Sequence, residues 1–173
     1  MHEQNEDEHV KEVYARFGLA LYFAQVLEHG LVNALVILNL IPSQRHLSRS
    51  RDEWGAEVDL FMDRHFQTTM GRMMRSLRDA VQVDADLEQL LHDALNKRNW
   101  LVHDFFREWA VEFMSATGRE RMLSEVDGCR DLFKSADNRL EATLGPLRTK
   151  VGISDELWVR EYQRMLMDRK EDG

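Results

Sequence analysis

The chain has 173 residues, of which 43% are hydrophobic and 31% are charged, and its formal net charge at pH 7 is −8. A chain of this size can bury a core as one domain without disulfides or bound metals. The acidic balance excludes broad, sequence-independent binding to nucleic acid, because such binding depends on neutralisation of phosphates by Lys and Arg. We expect one domain over 1–173, with disordered tails at 1–9 and 170–173. The single cysteine, Cys129, and an acidic N-terminus without a signal-peptide pattern predict a cytoplasmic protein.

The first predicted element is a long amphipathic helix over about 5–41 that ends at Pro42. Its apolar residues recur at spacings of three and four, apart from one gap: Val10, Tyr14, Phe17, Leu21, Ala24, Leu31, Leu35 and Leu38. Its most apolar part, 17–41, is long enough to cross a bilayer. It also contains polar residues that are costly in hydrocarbon, namely Gln25, Glu28, His29, Asn33 and Asn39. We therefore expect a buried helix and no membrane partner.

The remaining pattern is also helical. A polar loop over 42–52 precedes a second helical region from Trp54 to Leu77, in which Gly71 predicts a bend. A third helix is predicted from the N-cap Asp84 to a stop at Thr117-Gly118. A fourth is predicted over about 119–144, followed by a break at Gly145-Pro146 and a short helix after Ser154. No strand pair is evident, so the predicted fold class is an all-α bundle of four to five helices.

Two charged residues interrupt the apolar stripes. Glu28 lies between Ala24 and Leu31 in the first stripe, and Arg98 lies between Ala94 and Leu101 in the third. Unpaired charges are expensive in a core, which predicts that Glu28 and Arg98 meet between packed helices or line one polar pocket. A structural ion pair and a functional site are both compatible with that contact.

Arg98 also begins an Arg-Asn-x-x-x-His motif that ends at His103. On an ideal helix Asn99 and His103 are about 40° apart, on a face shared with Phe106 and Arg107, whereas Arg98 and His103 diverge by about 140°. Arg98 therefore reaches His103 only around the helix or across an interface.

The motif and its helical context, over about residues 10–140, resemble the HEPN family. That resemblance implies an all-α fold, a homodimer and, in catalytic members, metal-independent endoribonuclease activity. His103 would then act as general acid or base, Arg98 would hold the scissile phosphate, and Asn99 would orient His103 or donate to a phosphate oxygen. A two-fold dimer would supply the second acid-base group. Some members carry a modifiable Tyr two residues after the His, where this chain has Phe105.

Other residues have both functional and ordinary interpretations. Arg72, Arg75 and Arg78 cover about a 120° arc of a helix. Together with the basic residues of the loop, Arg45, His46, Arg49 and Arg51, they could follow an RNA backbone, although a solvated face is commoner. Trp100 flanks the motif, where it could stack on a base or anchor the core. The only Glu-x-x-His pattern, from Glu6 to His9, lies in the predicted tail, so we expect no metal and no other cofactor.

Two functions follow as hypotheses. The first is a ribonuclease that acts as the toxin or effector of a defence system, with an antitoxin or other protein partner. The second is a non-catalytic HEPN-fold module, in which Arg98, Asn99 and His103 bind a nucleotide or brace a dimer. The candidate binding residues in either case are Glu28, Arg72, Arg75, Trp100 and Arg107.

Overall fold

The computed structural model describes residues 2–44, 47, 50–154, 156 and 160, and for 2–6, 44 and 51 it describes the backbone alone. Every regular element in this part of the chain is helical, as the sequence predicts. The elements in chain order are α1 His2–Leu35, a π-helical turn Val36–Leu40, α2 Ile41–Gln44, α3 Arg51–Phe66, α4 Met70–Ala80, α5 Ala85–His103, α6 Phe105–Glu108, a 3₁₀ turn Glu112–Met114 and α7 Ala116–Lys150.

The core lies mainly between the two longest helices, α1 and α7, with α4 packed on α1 and α5 packed on α7. Its largest fully buried side chains include Leu27, Leu31, Leu101, Phe105 and Phe133. Residues 7–43 are long and apolar enough to cross a membrane, and 39% of the most apolar window is buried inside the protein. The buried leucines of α1 are core residues here, which favours the interpretation of this segment as a core helix.

Both ends of the first helix differ from the prediction. Residues 2–9 continue α1 where a disordered tail is expected, while 1 and 170–173 lie outside the described residues. At the other end, the Ile41 N–H donates to the Val36 carbonyl, and the chain stays helical past Pro42 to Gln44. Proline is tolerated there because it lies in the first turn after the π-helical segment.

The second and third predicted helices are each divided. The second stops at Phe66 and restarts at Met70, where the Thr69 hydroxyl accepts a hydrogen bond from the Arg72 N–H, so the break precedes Gly71. The third stops at His103, because Asp104 leaves the helical conformation, with φ −124° and ψ −25°. The prediction of one helix through Trp109 to Thr117 is therefore wrong.

Gly118 and Gly145 do not end helices, contrary to the prediction, because both lie inside α7. Gly118 lies in the first turn of α7, where its N–H donates to the N-cap Ser115, and a Cβ there would come within 2.0 Å of the Glu112 carbonyl oxygen. Gly145 and Pro146 lie inside α7, which continues to Lys150. The lost proline hydrogen bond is tolerated because Leu144 and Arg148, on either side, are buried. Of the helix predicted after Ser154, only Glu156 and Arg160 are described, and both are helical.

Candidate functional site

Arg98 and Glu28 meet between α5 and α1, which confirms the contact predicted from the two interrupted stripes. Arg98 Nε lies 3.0 Å from Glu28 Oε1. The side chains retain 34% and 20% of their exposure, so the pair is partly buried at the edge of the core rather than enclosed within it. A ligand at the protein surface can therefore approach the guanidinium.

The guanidinium is held loosely. Glu28 Oε1 is shielded from solvent but accepts no hydrogen bond from any described residue, so its contact with Arg98 is electrostatic without directional geometry. Arg98 Nη1 donates to Asn99 Oδ1 at 3.3 Å. The fork of an arginine carries five N–H donors, and these two contacts leave several of them available to a phosphate oxygen.

His103 is the last residue of α5, and its side chain is exposed, as is that of Asn99 one turn earlier. The two residues share a face of the helix, as predicted. Phe106 and Arg107 do not extend that face, because the helix is interrupted at Asp104. Phe106 packs against Phe17, 4.9 Å between ring centroids, and Arg107 pairs with Asp104 at 2.6 Å and is 74% exposed.

Trp100 connects α5 to α6. Its Nε1–H donates to Glu108 Oε2 at 2.7 Å, its ring meets Phe105 edge-on, and Lys97 Nζ lies 4.6 Å from the ring centroid. The indole therefore already has polar, aromatic and cationic partners. These contacts favour an anchoring role over the stacking role considered from the sequence.

Beside the motif, Lys97 of α5 makes contacts with α7 that no sequence pattern predicts. Lys97 Nζ pairs with Glu125 Oε1 of α7 at 2.5 Å, and this hydrogen bond raises the pKa of Lys97. Cys129, one turn further along α7, is buried, and burial raises the pKa of its thiol to about 11. The thiol stays protonated at neutral pH, so thiolate chemistry at Cys129 is excluded. The 28-residue separation of Lys97 and Glu125 explains why spacing alone does not find this pair.

Arg72 and Arg75 lie away from Glu28 and Arg98, on a groove of about 560 Å³ between α4 and α5. Leu77, Leu91 and Leu95 also line this groove. The basic-loop residues Arg45, His46 and Arg49 lie outside the described residues. The structure thus brings Glu28, Arg98 and Asn99 together and places His103 one turn beyond Asn99, while Arg72 and Arg75 form a second region.

Metal coordination has no candidate in the described part of the chain, where no three His, Cys, Asp or Glu side chains are grouped as ligands. The Glu6 side chain lies outside that part.

Comparison with known proteins adds no family assignment. No protein-family model matches the chain, and no curated protein sequence and no solved structure matches it significantly.

Proposed function

We propose that the protein is a metal-independent endoribonuclease of HEPN type, with Arg98 and His103 as catalytic residues. The observation that carries the proposal is the partly buried Arg98 guanidinium, which Glu28 holds at one nitrogen while other donors remain available. Such a group can bind a phosphate and stabilise the additional negative charge of a pentavalent transition state.

The reaction is transesterification within the RNA strand. The ribose 2′-oxygen attacks the adjacent phosphorus, the bond from phosphorus to the 5′-oxygen breaks, and the products are a 2′,3′-cyclic phosphate and a 5′-hydroxyl. His103 accepts the 2′-hydroxyl proton or protonates the leaving 5′-oxygen, since histidine exchanges protons near neutral pH. Asn99, on the same face of α5, orients the imidazole or donates to a phosphate oxygen.

A homodimer completes this chemistry. One His103 provides one acid-base group, and His103 of the partner subunit provides the other when a two-fold axis passes near the end of α5. The exposure of both Asn99 and His103 supports this arrangement, because a composite site requires these side chains at the surface.

The proposed setting is the cytoplasm, where the protein acts as the toxin or effector of a defence system. An uncontrolled ribonuclease damages its own cell, so an antitoxin or another protein partner would restrain it. The net charge of −8 would favour a partner with a basic surface.

A non-catalytic module is the second candidate, and the Glu28 contact favours it. A carboxylate 3.0 Å from Arg98 Nε competes with a phosphate for the guanidinium. In that case Arg98, Asn99 and His103 bind a nucleotide or brace a dimer without cleaving RNA.

Replacement of His103 distinguishes the two candidates. Purified protein is incubated with RNA in EDTA beside H103A and the control H9A, whose histidine lies outside the motif. General acid-base catalysis contributes about 10²–10⁴-fold, so H103A should lose about that factor in cleavage rate while H9A keeps the parent rate. The melting temperature of H103A should stay near that of the parent, because exposed substitutions change stability by about 0.5 kcal/mol or less.

Mixing experiments then test the shared site. Heterodimers of wild type and H103A lack one histidine, so activity should fall more steeply than simple dilution predicts. A linear decline would show that each subunit works alone. Full activity in H103A would reject the ribonuclease and leave the binding module.

A further inference from the structure

The exposed face of α5 carries a continuous row of polar side chains, His92, Asn96, Asn99 and His103, which we name the polar stripe. All four are exposed, and their positions fall within about a 60° arc of the helix. The stripe is about 16 Å long, since each residue adds about 1.5 Å along the axis. Its members are hydrogen-bonding groups, and His92 Nδ1 and Asn96 Nδ2 are 3.1 Å apart.

The stripe contains no carboxylate, although the chain has 31 Asp and Glu residues and a net charge of −8. Exposed carboxylates within the stripe would repel a polyanion bound against it. Glu88, one turn before His92, lines the same groove, but Arg78 pairs with its carboxylate at 2.9 Å. The hydrogen-bonding side chains of the stripe therefore suit this part of α5 to an anionic ligand.

One end of the stripe opens into the groove between α4 and α5, because His92 belongs to both. The leucines of the groove are apolar, and Arg72 and Arg75 are exposed beside them. Neither arginine forms an ion pair with any carboxylate of the described residues, whereas their neighbour Arg78 is paired with Glu88 at 2.9 Å. At the entrance to the stripe, two cations of this acidic protein thus have no countercharge among the described residues.

We propose that the groove and the polar stripe together bind a single-stranded RNA segment that leads to the scissile phosphate. This inference rests on the proposed function for what happens at the far end of the stripe, where Asn99 and His103 belong to the candidate site. Arg72 and Arg75 bind phosphates at the near end, and an unstacked base contacts the leucines of the groove. Asn96 and His92 donate to riboses or base edges, which a single strand exposes and a duplex hides.

The test measures binding apart from cleavage. An unstructured oligoribonucleotide of about 12 residues, labelled with fluorescein, is titrated into H103A protein and into H103A carrying R72A/R75A. Loss of two charge-assisted contacts should weaken binding by about tenfold or more. The slope of log affinity against log salt should become shallower by about 1.4, since each phosphate contact contributes about 0.7 for single strands.

The matched control is H103A carrying R64A/K134A. Both residues are exposed cations on other helices, α3 and α7, and neither lines the groove. This control removes the same charge and should retain the parent affinity and salt slope. Equal losses in the two variants would show general attraction to a polyanion and overturn the proposed track.

Cleavage assays separate this proposal from the ribonuclease proposal. In protein that retains His103, R72A/R75A should lower kcat/KM for the long oligonucleotide. Cleavage of a dinucleotide should stay unchanged, because the dinucleotide does not reach the groove.

The other outcomes decide between the two proposals. If H103A abolishes cleavage while R72A/R75A binds RNA like its parent, the ribonuclease stands and the track is rejected. If no RNA is cleaved but R72A/R75A selectively loses RNA binding, the track stands and the ribonuclease is rejected. Dissociation of a dimer in R72A/R75A with unchanged RNA affinity would instead assign this face to contact between two copies.

Discussion

Arg98 and Asp137 face α1 from different helices, and the protein accommodates these two charged side chains differently. Arg98 of α5 meets the countercharge of Glu28. Asp137 of α7 lies against Gly30, two residues further along α1, and no cation of the described residues pairs with it. Burial, with a smaller contribution from Glu141, raises the pKa of Asp137 above its ordinary value. A charged side chain beside a core helix is thus accommodated in one of two ways. Arg98 has an opposite charge, whereas Asp137 has the room that Gly30 leaves and a raised pKa.

Removal of one member of the Arg98–Glu28 pair should have the largest effect on stability in this comparison. Breaking a fully buried pair costs about 3–5 kcal/mol, whereas exposed pairs contribute about 0.2–1 kcal/mol. With side chains 34% and 20% exposed, this pair falls between those limits. R98A or E28A should therefore lower the free energy of unfolding by about 1–2 kcal/mol, measured by urea denaturation.

The control for that experiment is R107A, which removes an arginine from a pair in which it is 74% exposed. Its unfolding midpoint should match that of the parent. If R98A is as stable as R107A, the Glu28 contact does not support the fold, and the role of Arg98 is in ligand binding alone.

Substitution of Gly30 should reveal the space that Asp137 occupies. A Cβ at Gly30 would lie 2.7 Å from Asp137 Oδ1, while one at Gly18 in the same helix meets nothing within 4 Å. Alanine is favoured over glycine within a helix by about 1 kcal/mol, so G18A should stabilise the protein by up to that amount. G30A should gain less or lose stability, because the Asp137 carboxylate must move. Thermal melts of both variants, and of G30A with D137A, provide the measurement, and equal gains in G18A and G30A would contradict the close contact.

Asp137→Asn should give the smallest effect, and its sign depends on pH. Because folding raises the pKa of Asp137, the folded state binds its proton more tightly than the unfolded state does. The contribution of this group to stability is full below its unfolded pKa of about 3.9 and is lost as the pH rises through the higher folded value. D137N should therefore melt slightly above the parent at pH 7, with the difference disappearing toward pH 3. The exposed Asp79 supplies the control, D79N, which should show no such trend.

The positions of helix breaks were the least predictable part of the fold. Pro42 and Gly145-Pro146 predict helix ends, yet the chain remains helical through both. Asp104 gives no comparable signal, and there the helix is interrupted. Local propensities of this kind amount to about 3 kcal/mol even for proline, and the burial of several side chains outweighs them.

Of the contacts at the candidate site, the one between Arg98 and Glu28 could be predicted from the sequence, and the others could not. Because Arg98 interrupts the apolar stripe of the third predicted helix, it is expected to have an oppositely charged partner. Glu28 interrupts the apolar stripe of the first predicted helix in the same way, so it is the partner that the pattern indicates. The pairing of Lys97 with Glu125, and the hydrogen bond from Trp100 to Glu108, depend on how α5 packs against its neighbours. The polar stripe is visible in the sequence by helical spacing, but its connection to the groove requires the position of α4.

From the sequence alone, we could predict the helical class, the long first helix and the requirement that Glu28 and Arg98 compensate each other. These features follow from the periodicity of apolar residues and from the cost of an unpaired charge, and both act within one or two helices. The three-dimensional packing of the helices was needed to show where the helices break and that the Arg98–Glu28 pair stays partly exposed. It was also needed to show that Arg72 and Arg75 border a groove leading to the polar stripe. Those outcomes depend on packing between residues distant in the chain, which determines the solvent access and the partners of each side chain.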